Sequence, residues 1–214
     1  MELTEKYSPI LWQLHEHPLT RTIIQTSTCV GIPFGLALDN FLTKKKKEKQ
    51  IAFFDTLNDG STVLTEDIIN DDNFLHAFFA TLNYVVRQRS NAKIEGFTKI
   101  LKELATKKIE INRFEDYTAI FDELSEREFA ILSIKYDFEQ RFRKPNESAG
   151  NYWQEFKDEV LNKVDITEGE LEPLLSRAQR TGCFQEEKLF WQDDGNLYGN
   201  TTEIFKVIRD IINQ

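Results

Sequence analysis

The sequence predicts a mainly α-helical protein, an N-terminal helical bundle followed by a small α+β module with one hairpin. Three observations lead there. Apolar residues recur at helical spacing through most of residues 38–142. Glycine and proline number only 9 and 5 in 214 residues, which favours long regular elements over many tight turns. Beyond residue 150 the pattern changes, and short apolar runs flank Asp193-Asp-Gly-Asn196, a hairpin signal.

Taken in order, the region Leu38 to Leu57 reads as a helix, closed by Asn58-Asp59-Gly60. Its apolar stripe changes face: Leu38, Phe41 and Leu42 lie roughly opposite Ile51, Phe53, Phe54 and Leu57, with a lysine-rich turn between them. Asp72 is placed to cap the next helix, with Phe74, Phe78, Leu82 and Val85 on its apolar stripe. Ile94, Phe97, Ile100, Leu101 and Leu104 mark a third helix over 93–105, and Tyr117, Ile120, Phe121 and Leu124 a shorter one. Ser125 with Glu128 forms a capping box ahead of Phe129, Ile131, Leu132, Tyr136 and Phe142.

Arg143-Lys-Pro-Asn-Glu-Ser-Ala-Gly150 breaks the pattern and is expected to join two domains. The expected organisation is an apolar N-terminal segment (1–43), a helical bundle (44–144) and a C-terminal module (151–214). In that module come a helix from Tyr152 to Val164, a helix capped by Thr167 and stopped by Gly182, the hairpin and a last helix with Ile204, Phe205, Ile208 and Ile211.

Composition narrows the class. Charged residues make up 29% and mean hydropathy is −0.47, which excludes a polytopic membrane protein. Cys29 and Cys183 are too few for a disulfide framework, so a reduced, cytoplasmic protein is expected. Residues 1–8 carry Glu2 and Glu5 and read as no secretory signal. Residues 22–42 form an apolar run just long enough to span a bilayer, interrupted by Gly31-Ile-Pro-Phe-Gly35 and followed by lysines. Burial within the fold is the preferred reading, and association with a membrane through residues 22–49 is the alternative.

No motif points to catalysis, a metal or a cofactor. His15-Glu16-His17 puts two imidazoles on one side of an extended segment, without the third and fourth ligands a metal site needs. No Gly-x-Ser-x-Gly elbow or phosphate-binding loop is present. Asp193 and Asp194 suit a turn, and Asp72 a helix cap. A non-enzymatic protein is therefore expected.

Charge is the most informative remainder. The chain carries net −9, unevenly spread. Residues 44–49 contain five lysines and one glutamate, residues 87–113 eight cations and three anions, and residues 114–214 12 cations against 22 anions. Basic helices of this kind hold acidic partners. The candidate contact residues are Lys44, Lys45, Lys46, Lys47, Lys49, Arg87, Arg89, Lys99 and Lys102.

Leu174-Leu-Ser-Arg-Ala-Gln-Arg-Thr-Gly-Cys-Phe184, followed by a hairpin and a final helix, resembles the helix–wing layout of winged-helix domains over about 60 residues. That resemblance implies a DNA-binding alternative through Arg177 and Arg180. Glu168, Glu170 and Glu172 on the same helix oppose it, because a groove-reading helix should be net positive. The apolar Gly/Pro segment, the lysine-rich helix, Phe74-Leu-His-Ala-Phe-Phe79 and Lys93-Ile-Glu-Gly-Phe97 are similar to poorly characterised bacterial helical proteins. Some of those are grouped with phage abortive-infection systems, which implies a membrane-associated effector as a further alternative. The expected function is regulatory or adaptor binding of another macromolecule, with a protein partner or a second copy preferred over nucleic acid or an anionic membrane.

Overall fold

The structure, a computed structural model, describes residues 9–26, 36–59, 64–142, 152–187 and 198–214. Among the described residues are eleven α-helices and one two-stranded antiparallel sheet, so the mainly helical class with a C-terminal hairpin is observed. The chain divides into two compact units, Met1–Thr118 and Ala119–Gln214.

The first unit opens with two short helices, α1 (Pro9–Glu16) and α2 (Pro18–Thr26). Each starts on a proline, which fits the first helical position because its N–H would have no partner there. Leu11 and Leu14 are buried, and the buried Thr20 hydroxyl donates to the Leu14 carbonyl at 2.7 Å. The extended geometry expected for His15-Glu16-His17 is therefore corrected. His15 is helical, stacks on Trp12 and meets the edge of Phe54, and His17 packs on Phe79. Burial, helped by the nearby Arg21 guanidinium, lowers the His15 pKa below its ordinary value.

Helix α3 (Leu36–Asn58) is followed by the single turn α4 (Glu66–Ile69), then α5 (Asp72–Arg87), α6 (Asn91–Ala105) and α7 (Ile111–Glu123). The cap of α5 is Asp71 rather than Asp72: its carboxylate accepts the Phe74 N–H at 3.0 Å. Ser90 caps α6 in the same way. Helices α3, α5 and α6 bury Phe53, Phe54, Leu57, Phe74, Phe78, Leu82, Phe97, Ile100 and Leu101 between them. Phe78, fully buried, lies with its ring centroid 5.3–6.3 Å from Phe53, Phe54, Phe74 and Phe79.

The second unit is built around α8 (Glu126–Phe142). Its capping box is present: Glu128 accepts the Ser125 N–H at 2.7 Å, and the Ser125 hydroxyl accepts the Glu128 N–H at 3.2 Å. Helices α9 (Trp153–Lys163) and α10 (Glu168–Arg180) pack on it, then strands β1 (Phe184–Glu186) and β2 (Gly199–Thr201) and helix α11 (Glu203–Asn213). Thr167 caps α10 through Glu170, whose carboxylate accepts both its N–H and its hydroxyl. Gly182 ends that helix at φ 78°, with the Cys183 N–H reaching back to the Ala178 carbonyl.

Ile131, Leu132, Phe138 and, unexpectedly, Lys135 and Glu139 form the inward face of α8. Lys135 is fully buried, with its ammonium 3.9 Å from Glu139 Oε1, donating to the Tyr152 hydroxyl at 3.0 Å and lying over the Tyr152 ring. Glu139 accepts the Thr201 N–H at 2.7 Å and its hydroxyl at 2.5 Å. One carboxylate thus ties α8 to β2, while the lysine ties it to α9.

The hairpin pairs Phe184 with Thr201, Gln185 with Asn200 and Glu186 with Gly199. The expected turn at 193–196 falls outside the described residues. The joining stretch 143–150 and residues 27–35 of the apolar segment also fall outside them. Among the described residues no helix is long and apolar enough to cross a membrane.

Gly199 occupies a position where a Cβ would run into the Gln185 carbonyl and the Phe184 ring, closer than side-chain atoms approach. Gly199→Ala is expected to destabilise the second unit by about 1–3 kcal/mol, read as a lower urea midpoint, because the buried Phe184 ring and the Gln185 backbone must shift to admit the Cβ. An unchanged midpoint would mean the hairpin yields freely.

Candidate macromolecule-binding surface

The wheel of α3 sorts its lysines. Gln50, Phe53, Phe54 and Leu57 turn inward, Lys46 and Lys49 extend that face and are half-buried, and Lys44, Lys45 and Lys47 are exposed. Lys45 is ion-paired with Glu48 one turn on, at 2.7 Å.

Lys49 brings a second helix to this turn. Its ammonium donates to the Val86 carbonyl at 3.0 Å, at the C-terminal end of α5, where carbonyls lack intrahelical donors and the helix dipole favours a cation. Arg87 and Arg89, both exposed, follow directly. Burial, and then the charge of Arg89, lower the Lys49 pKa below its ordinary value. Arg87 donates to the Asn83 carbonyl and lies over the Tyr84 ring, 5.2 Å from its centroid. Folding therefore brings Lys49 to the end of α5, where the Arg89 charge acts on it, while Lys44 and Lys47 lie well round α3 from Lys49.

Lys99 and Lys102 do not join them. Lys102 donates to the Asp59 carbonyl just past the end of α3, the same capping use of a lysine at the opposite end of the bundle. Burial lowers its pKa; the neighbouring Lys99 acts in the same direction and Asp59 opposes it. Ten residues of helix separate Lys49 from Asp59, about 15 Å along α3. Two of the nine cations, Lys49 and Lys102, thus work as caps of neighbouring helix ends.

Tyr84 is the surface residue the sequence reading missed. Its ring stacks on buried Phe97, 5.0 Å between centroids, and supports Arg87 from below. Its spacing of three from Arg87 on one helix face was the available signal.

Arg177, the alternative DNA contact, pairs its Nε with buried Glu128 at 3.1 Å, and Arg180 is exposed. Around the start of the same helix, Glu168 pairs with Lys157 and Glu170 lies 3.6 Å from Arg127. Cys183 is buried; desolvation is the main reason its thiol pKa is raised, with the Glu128 charge adding to it and a Thr181 hydrogen bond opposing. Among the described residues no three His, Cys, Asp or Glu side chains are grouped so as to hold a metal ion. Compared with known proteins, the chain matches no family model, no curated protein and no solved structure.

Proposed function

We propose that this chain is a regulatory or adaptor protein, without catalysis of its own, that holds an acidic protein surface on the cationic end of its first unit. The observation that carries this reading is the bond from Lys49 to the Val86 carbonyl, which brings the lysine-rich helix to the helix end that Arg87 and Arg89 follow. The Arg89 charge acts on Lys49 there, and Lys44, Lys45 and Lys47 stand exposed on the same helix. An anionic partner relieves that repulsion, and its approach is steered by the summed field.

The second unit is read as a winged-helix-like module that contacts protein rather than DNA. The order α9, α10, β1, β2, α11 supports the first part. The acidic first turn of α10 and the engagement of Arg177 with Glu128 support the second.

Fluorescence anisotropy with labelled poly-L-glutamate tests the reading. The full chain is expected to bind it with an affinity that falls as salt rises. Lys44→Glu, Lys45→Glu, Lys47→Glu and Arg89→Glu together are expected to weaken binding at least tenfold while the helical circular dichroism is unchanged. Lys49 and Lys102 are left in place because each caps a helix end. Equal binding by the reversed variant would overturn the reading. Tight duplex-DNA binding lost on Arg180→Ala would replace it with a DNA-binding regulator, and residues 22–49 carrying the chain to anionic vesicles with a membrane effector.

A further inference from the structure

A cleft of about 460 Å³ lies in the first unit where α4, the start of α5, the end of α6 and the start of α7 meet. That volume is in the range of small-ligand sites. Its walls are mainly apolar: Ile68, Leu104, Ile109 and Ile111, each only half-buried, line it together with buried Phe74. The rim is acidic, with Asp67, Asp71 and Glu110 exposed around the opening and Lys107 as the opposing cation among the lining residues.

Local rules produce this arrangement. Lys107 takes the left-handed conformation, φ 57°, that ends α6, and the N–H groups of Lys107 and Lys108 bond the Leu104 and Glu103 carbonyls. The chain turns there, so that Ile109 and Ile111 line the same cleft as Leu104. Asp71 stands at the opening because its carboxylate caps α5.

Half-buried aliphatic side chains in a concave site favour an apolar body, since docking removes their remaining surface from water. Three carboxylates against one ammonium favour a positive head and disfavour a negative one. We propose that this cleft binds a small amphiphilic cation, an ammonium or guanidinium carried on an aliphatic chain. The site is distinct in chemistry from the cationic surface, which selects anions.

Hexylammonium, hexan-1-ol and hexanoate titrated into the full chain, followed by amide NMR shifts, test the proposal. Hexylammonium is expected to shift amides of residues 67–74 and 104–111, with hexan-1-ol weaker by roughly tenfold and hexanoate weaker still. Asp67→Asn with Glu110→Gln, both exposed and close in shape to the native pair, is expected to weaken hexylammonium roughly tenfold and leave hexan-1-ol unchanged. Lys107→Gly keeps the turn, removes the opposing charge and is expected to tighten hexylammonium binding. Leu104→Trp fills the cleft and is expected to abolish binding of both the cation and the alcohol. Hexanoate binding as tightly as hexylammonium, shifts confined to other residues, or no effect of the paired carboxamides would each overturn the proposal.

Discussion

Glu139→Ala is expected to destabilise the second unit by about 3–5 kcal/mol. The loss has two sources. Lys135 stays fully buried but is deprived of its carboxylate, and the Thr201 N–H and hydroxyl lose their acceptor inside the fold. Urea unfolding followed by tryptophan fluorescence checks it, since Trp153 lies in this core. Lys135→Met with Glu139→Gln separates charge from hydrogen bonding. The glutamine keeps an acceptor for Thr201 and the methionine removes the buried charge, so the pair is expected to lose less than Glu139→Ala alone. A double variant as unstable as Glu139→Ala would mean that the ionic contact itself holds the unit.

Phe78→Ala is expected to cost the first unit about 3–5 kcal/mol. The ring is fully buried and touches four other phenylalanines contributed by α3 and α5, so its removal leaves a cavity that rigid aromatic neighbours do not close. Leu19→Ala is the internal comparison. Leu19 is 50% exposed, and its loss is expected to stay within about 0.5 kcal/mol. Chemical denaturation of both variants, followed by circular dichroism, reads the difference; equal losses would mean that the phenylalanine cluster is not the core of this unit.

The apolar stripes of α5 and α6 were legible because buried apolar residues recur there at helical spacing, from Phe74 to Val86 and from Ile94 to Leu101. The Ser125–Glu128 box was legible because capping is a local contact between residues three apart. The role of α8 was not. Two of its inward positions are Lys135 and Glu139, which a hydrophobic pattern scores as solvent-facing, whereas Phe142 is 39% exposed. Nor does composition mark the division between the units, which falls within helix α7. Helices α1 and α2 carried a readable sign, Pro9 and Pro18 at their first positions, but the His-Glu-His alternation suggested an extended segment instead.

For the binding surface, the run of lysines on α3 was visible in the sequence, and the approach of Lys49 to the end of α5 depended on folding. The bond from Lys49 to Val86 spans 37 positions, and that from Lys102 to Asp59 spans 43. Sequence spacing therefore does not distinguish a lysine that caps a neighbouring helix from one that meets a partner. Tertiary packing separates Lys49 and Lys102 from the exposed Lys44, Lys45 and Lys47.

The most direct test of the binding account is amide hydrogen exchange of the full chain with and without poly-L-glutamate. The account predicts slowed exchange concentrated in residues 44–49 and 86–90, with α10 unchanged and the effect removed by high salt. Protection centred on residues 168–181, or binding that leaves residues 44–49 and 86–90 unprotected, would contradict it.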